Sequence, residues 1–335
     1  MPAFLFHQNM RTLGPALPWR IHAYGGGAVP LVPMVMPAGA NPIGAFGAFG
    51  QIAAGLAPGS NIIVAGLTEM ASPGVLGSLP MFNQALAGGG IHRQLLVACG
   101  STALARGRQE YTALLFKVAG PGIRIRVLEV GRISLTVSGN ASSVAVDRAP
   151  AAPPVGPRPW AAWQAWAQTF PAATSDFRAL VYAVVQVPGV GTIGVAYLHN
   201  MYTLDAERNL MAGKLAQMMS SLKVRVGRLA PAGNPNNVYL GGDFNVEPTN
   251  RRGGVRSLEL HVYDSVAFPL YHSQPNGTTW NGRLYDYWYS DVPPPVLPAI
   301  LPRASANNLT RDCGRGAQDC WELMSDHSAI LLEIG

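Results

Sequence analysis

Short apolar runs rich in β-branched residues recur along the chain, each closed by Gly, Pro, Asn or Asp. They lie at 3–10, 61–70, 111–118, 123–130, 133–138, 178–187, 192–200, 237–244, 284–290 and 328–334. Runs of this length with such boundaries predict β-strands. Two stretches carry a helical pattern instead. Asn41-Pro42 supplies a cap and a first-turn proline for a helix over 42–56. Leu204, Leu210, Met211, Leu215, Met218, Met219 and Leu222 form one helical stripe, read as a core-facing side rather than a cofactor box. Strands outnumber helices and several neighbours read as hairpins, which predicts an α+β protein of two packed sheets with outer helices. Segments rich in Gly, Pro or Ala at 24–40, 139–159 and 291–320 read as insertions. The polar strand ends are spread over the whole chain, so residues 1–335 are expected to form a single domain.

Composition changes this picture little. With 48% hydrophobic and 13% charged residues, 335 residues can bury a large core. No run approaches the length of a membrane span, so no integral membrane association is expected. The opening MPAFLFHQNM lacks a basic region followed by a long apolar stretch, so no cleavable signal is expected. Location stays open between the cytoplasm and export by a signal-independent route. The formal charge is +6, and the basic residues are almost all Arg, with Lys only at Lys117, Lys214 and Lys223. Arg matches phosphate with a planar fork, which favours a polyanionic substrate; biased coding composition explains the same numbers. Cys99 ends the apolar run QLLVAC and reads as a buried thiol. Cys313 and Cys320 bracket a loop that a disulfide could close, and no His or third Cys lies nearby to favour a metal.

Several strands finish in residues that a core does not choose. Asn9 follows FLFHQ, Glu69 follows IIVAGLT, and His199-Asn200 follows GVAYL. Asp243 and Asn245 follow VYLGG, Asp286 lies inside LYDYWYS, and Asp326-His327 precedes the last strand. In VYLGGDFNVEP the two glycines are expected to let the strand end turn tightly. Asp243 and Asn245, two apart, then project from the same side of an extended segment. The residue types together suit phosphoester cleavage. Carboxylates hold a hard cation such as Mg²⁺, and His serves as base or acid near neutral pH. Asp and Asn can orient the nucleophile and the phosphoryl oxygens.

GGDFNVEP, with MSDHSAILLEI near the C-terminus, QNM near the N-terminus and GLTEM between them, resembles the endonuclease/exonuclease/phosphatase superfamily. The motifs occur in the family's order across residues 9–327. The resemblance implies the deoxyribonuclease I-like fold, a four-layer α/β/β/α sandwich of two mixed sheets flanked by helices. It implies Asn9, Glu69 and Asp326 at the metal, which is Mg²⁺, with Mn²⁺ and Ca²⁺ as the other ions such ligands accept. The family usually shows QE where this chain has Thr68-Glu69. His199 matches the His that contacts the scissile phosphate, and Asp243 with Asn245 the pair that orients water and phosphate. Asp286 matches the acid that pairs with the last His, and His327 the second general acid/base. GRQEYTALLFK places Glu110 seven residues before Lys117, resembling the deoxyribonuclease segment whose Glu pairs with the first His. SDFRALVYAVV resembles a strand that begins with a phosphate-contacting Arg, here Arg178.

The resulting expectation is a Mg²⁺-dependent endonuclease acting on DNA with little sequence preference. A sphingomyelinase or inositol-phosphate phosphatase of the same superfamily is the alternative. For peripheral lipid contact the candidates are the 24–40 segment and Trp160, Trp163 and Trp166, which fall on one side of a short helix, a pattern more often a packed face than a lipid anchor. A non-catalytic binder is disfavoured, because no expected catalytic position holds an inert residue.

Overall fold

The structure, a computed structural model, describes residues 2–13, 61–70, 92–100, 110–138, 141–151, 160–170, 177–200, 205–246, 268–271, 278, 284–300, 327 and 329–335. Its strands are β1 (Ala3–Leu13), β2 (Ile62–Met70), β3 (His92–Ala98), β4 (Tyr111–Lys117), β5 (Arg126–Ser138), β6 (Ala141–Arg148), β7 (Leu180–Val187), β8 (Gly191–His199), β9 (Val238–Asp243), β10 (Leu270–Tyr271), β11 (Asp286–Ser290), β12 (Ala299–Ile300) and β13 (Ile330–Ile334). Two helices, α1 (Trp160–Ala167) and α2 (Asp205–Leu229), complete the described elements. One sheet runs β12-β13-β1-β2-β4-β3, and the other β10-β11-β9-β8-β7-β5-β6.

Near-continuous apolar runs become strands buried along their length, as in β4 and β7. In β7, Val181, Ala183 and Val185 join the core between the sheets, where they meet Leu5, Ile63, Leu114 and Phe116 of the first sheet. The alternate residues Leu180, Tyr182 and Val184 face outward onto α2. There Leu215, Met218, Met219, Leu222 and Val226 cover them at helical spacing, as the stripe predicts. Pro231 stands two residues beyond α2, where a helix cannot continue. The two packed mixed sheets are those expected. The expected helix over 42–56, the 24–40 segment, Cys313, Cys320 and Asp326 lie outside the described residues. Cys99 is buried as a free thiol, and burial pushes it up to about 12.

Two local readings change, and a third is decided for the side already favoured. The runs at 123–130 and 133–138 are one strand, β5, not two. Gly131 is not a turn: a Cβ there would lie 2.5 Å from the Tyr182 ring, its partner on β7. Beside it Arg132 is buried, paired with Asp147, donating to the Ala98 carbonyl at 3.1 Å and lying over Trp166 and Phe170. Next, residues 141–148, inside the segment read as an insertion, form β6. This edge strand pairs with β5 from Gly131–Arg148 to Ser138–Ala141, and its alternating exposure lacks the apolar run of an inner strand. Finally, the Trp triplet faces the core. Trp163 is buried and donates to the Pro150 carbonyl at 2.7 Å, while Trp160 meets Trp163 edge-on at 5.0 Å and Phe116 at 6.1 Å.

Topology places the chemistry. Among the described residues each sheet contains one parallel pair, β1 with β2 and β8 with β9. The polar residues Asn9, Glu69, His199 and Asp243 sit toward the carboxyl ends of these strands. Their antiparallel neighbours β4, β7, β11 and β13 begin at the same edge, so Glu110, Arg178, Asp286 and His327 arrive from the other chain direction. Register makes this concrete in the second sheet. His199 pairs with Asp243, and Asp243 with Asp286, in one row across three strands.

Candidate active site

Glu110 immediately precedes β4, and its main chain is held by amides of Cys99 and Gly100, at 2.9 and 3.1 Å. Its carboxylate joins two groups. Oε1 lies 2.8 Å from His199 Nδ1, and Oε2 lies 2.8 Å from Arg178 Nη2. Arg178 also donates to the Asn200 carbonyl at 3.0 Å, tying the guanidinium to the end of β8. Burial pushes Glu110 up, but Arg178 and His199 outweigh it and hold the carboxyl below its usual range. For His199, burial and Arg178 pull downward, while Glu110 and Glu69 prevail and raise it above an ordinary imidazole.

A second couple faces the first. His327 Nδ1 lies 2.7 Å from Asp286 Oδ2, and the backbone amide of Asp286 donates to Thr278 Oγ1 at 3.0 Å. Between the couples stands Asp243. Its Oδ2 is 3.7 Å from Nε2 of His199 and 3.7 Å from Nε2 of His327. Asn9 Nδ2 donates to that same oxygen at 2.7 Å. Burial, with Asp286 adding to it, raises Asp243 above the ordinary carboxyl range against the pull of both histidines. Glu69 Oε2 completes the group, 3.7 Å from His199 Nε2.

Among the described residues, the non-glycine positions at positive φ are Glu69 (56°) and Asn245 (54°). Such a conformation is uncommon and costs on the order of 1–3 kcal/mol, which the surrounding structure must offset. At Glu69 the pairing of β2 with β4 slips register between Leu67 and Met70. At Asn245 the left-handed turn brings its amide N–H to Asp243 Oδ1 at 2.9 Å and its side chain to the Asn200 carbonyl at 2.8 Å. The extended reading of 243–245 is therefore corrected: β9 ends at Asp243, and a turn, not a shared strand face, joins the two side chains.

The glycine reading changes with it. Gly241 and Gly242 lie within β9 rather than in a turn. A Cβ at Gly241 would lie 2.6 Å from the Trp288 ring, and one at Gly242 would strike the Leu198 carbonyl oxygen. Their use is close approach.

Asn9, Glu69, Glu110, Arg178, His199, Asp243, Asn245, Asp286 and His327 thus form one connected set, as nominated from sequence. Asp286, Asp243 and His327 each place a ligand atom within 4.8 Å of the others, a group that could hold a metal ion. Four partners were not nominated. Gln8 Nε2 donates to the His327 carbonyl at 2.6 Å, and Thr278 anchors Asp286. His7 and Thr68 bond each other beneath the site at 3.1 Å. His7, Gln8 and Thr68 sit in apolar runs, where only the polar break marks them; Thr278 lies in the polar stretch NGTTWNG, which carries no such signal.

No family model matches the chain, and no curated protein matches it. Solved structures do. An endonuclease/exonuclease/phosphatase family protein from Bacteroides thetaiotaomicron superposes with a TM-score of 0.53 at 13% identity, over 100% of this chain and 97% of that one. A mannosyl-6-phosphatase from the same organism gives 0.51 at 14% identity, over 99% of each chain. Truncated Caenorhabditis elegans TDP2 gives 0.50 at 12% identity, over 99% and 97%. The chain therefore has the deoxyribonuclease I-like fold of these proteins.

Proposed function

We propose that this protein is a divalent-metal-dependent phosphoesterase that hydrolyses phosphodiesters, with DNA the substrate favoured. The observation that carries this is the pair of imidazoles whose Nε2 atoms stand 3.7 Å from the same Asp243 oxygen, each backed at Nδ1 by its own carboxylate. A diester needs a proton removed from water and a proton delivered to the leaving oxygen, and two backed imidazoles supply one each. Glu110 and Asp286 fix the tautomers and steady the charged forms. Asp243 and Asn245 are assigned to holding the water and a phosphoryl oxygen. Arg178 donates to Glu110 and to the His199 and Asn200 carbonyls, yet its side chain stays 22% exposed, which leaves an edge for phosphate.

The oxygen-rich donors fit a hard cation better than a soft one. Glu69, Asn9 and Asp326 would hold it, and Mg²⁺ is the ion we assign. When bound, it polarises a phosphoryl oxygen. Asp286 is assigned to His327 rather than to the ion, because its Oδ2 is already engaged at 2.7 Å. A chain whose basic residues are mainly Arg supports a polyanionic substrate. The likeness to a mannosyl-6-phosphatase supports keeping a phosphomonoester as the second substrate class.

The test is one panel: supercoiled plasmid, single-stranded DNA, RNA, sphingomyelin, inositol phosphates and a sugar phosphate, each with Mg²⁺ and with EDTA. Nicking that needs Mg²⁺ and is lost in His199→Ala and His327→Ala supports the proposal. Cleavage that survives EDTA or both substitutions overturns it. Exclusive turnover of lipid or monoester substrates replaces the DNA reading.

A further inference from the structure

Behind the two acid–imidazole couples lies a third histidine. His7 is in β1, two residues before Asn9 and on the same face, so β1 carries one side chain toward Asp243 and another toward Asp286. His7 is fully buried and stacks on Tyr197 with ring centroids 6.1 Å apart and planes 17° from parallel. Its Nε2 lies 3.1 Å from Thr68 Oγ1. Its Nδ1 lies 3.6 Å from Asp286 Oδ1. Those last two atoms are both buried without a hydrogen-bond partner, and they face each other.

A neutral imidazole has one donor and one acceptor nitrogen, and its neighbours decide which is which. Thr68 can donate its hydroxyl proton to Nε2, which leaves the ring proton on Nδ1. Placed there, it points at the unpartnered Asp286 oxygen, and an approach of about half an ångström makes a normal bond. The opposite tautomer would set a lone pair against a carboxylate and leave both orphans unsatisfied, a costly arrangement in a buried site. Asp286 then stands between two imidazoles, with Oδ2 on His327 and Oδ1 on His7.

The geometry points to His7 as a positioning residue that, in the Nδ1–H tautomer set by the facing carboxylate and with Nε2 accepting from Thr68, clamps the free oxygen of Asp286 and so keeps the other oxygen aimed at His327. The kinetic part rests on the reading of His327 as an acid/base group. It also gives Thr68, the position where the chain departs from the QE pattern, a part: its hydroxyl satisfies Nε2 of the buried ring. Gln8, holding the His327 carbonyl, braces the same residue from the backbone side.

Two measurements decide this. Long-range proton–nitrogen correlation of ¹⁵N-histidine-labelled protein at pH 7 reads the tautomer directly, with His7 identified by its absence from the His7→Asn spectrum. A neutral Nδ1–H ring is expected, and an Nε2–H ring or an imidazolium overturns the proposal. In Asp286→Leu the same signal should move to a mixture of tautomers, because the facing acceptor is gone; an unmoved signal overturns the clamp. Neither readout depends on catalysis, so each stands even if the phosphoesterase reading fails. With bis(p-nitrophenyl) phosphate and Mg²⁺, His7→Phe should lower kcat about tenfold or more with KM within about twofold. His7→Asn, whose amide can take the place of Nδ1, should recover most of it. A His7→Asn enzyme no better than His7→Phe, or a His7→Phe enzyme with unchanged kcat, overturns the clamp.

Discussion

Replacing Gly241 by Ala separates the two explanations of the glycine pair before Asp243. If the pair served a turn, the cost of a methyl would arise in the backbone and be indifferent to what lies across the strand. The structure puts the cost in packing. The new Cβ would sit 2.6, 2.7 and 2.8 Å from Cζ3, Cη2 and Cε3 of Trp288, its cross-strand partner. Carbon atoms pack at about 3.5–4.0 Å, so the indole must retreat by about 1 Å. It has nowhere to go, since Trp288 is fully buried and packs edge-on against Tyr197 at 5.9 Å. Overpacking of this kind costs about 1–3 kcal/mol. With about 2.1 cal/mol/K of unfolding entropy per residue, 335 residues give about 0.7 kcal/mol/K, so the midpoint should fall by about 1.5–4 °C. Tyr197 also stacks on His7, so hydrolysis should slow as well. The assay is thermal and urea unfolding of Gly241→Ala in the wild-type background and in Trp288→Leu. Room made by the smaller side chain should shrink the glycine's cost by about 0.5–3 kcal/mol of coupling. Gly189→Ala is the control, since Gly189 has φ 79° and nothing within 4 Å of a Cβ, leaving backbone strain alone. An equal cost for Gly241→Ala in both backgrounds would refute the packing argument.

Glu110→Gln should lower kcat about 10–100-fold and shift the His199 limb of the pH–rate profile to lower pH, because burial and Arg178 then act on His199 without Glu110; a limb that stays in place counts against the couple. The same variant should flatten the pH dependence of stability on two sides. Glu110, depressed in the fold, contributes stability that is full above its ordinary value of 4.5 and lost as pH falls through the depressed one. His199, raised in the fold, contributes stability present below 6.5 and lost as pH rises through its raised value, so urea midpoints from pH 3 to 8 read both. Mg²⁺ at about 100 times its dissociation constant should add about 2.7 kcal/mol of stability, about 4 °C here, and Glu69→Gln should abolish that shift in a thermal melt. Trp163→Ala should cost about 3–5 kcal/mol in urea unfolding while leaving liposome sedimentation unchanged, because the ring is packed in the core; loss of sedimentation without loss of stability would restore the lipid-anchor reading.

Much of the architecture is legible in the sequence because the signals are local. Apolar runs of strand length, the helical stripe ending at Leu222 and polar residues at strand ends are properties of neighbouring positions, and they mark nine of the thirteen described strands, α2 and seven residues of the candidate site; Glu110 and Arg178 came from the family resemblance. The misreadings share one cause. Gly131, Gly241 and Gly242 look like breaks when read along the chain; across the sheet, they make room for Tyr182, Trp288 and the Leu198 carbonyl. Arg132 looks like a polar interruption, whereas the fold closes a buried ion pair and two rings around it.

The sequence by itself determined which residue types stand at the strand ends, and with them the chemistry we propose. Only the tertiary structure decided that His199 and His327, 128 positions apart in the numbering, present Nε2 at equal distances to one oxygen of Asp243. It alone turned Asn245 back onto Asp243, and it alone set His7 against Asp286. The physical reason is register. Side-chain direction along a strand follows from a period of two, but which residues become neighbours across strands depends on how whole sheets align and pack, and no local window of sequence contains that information.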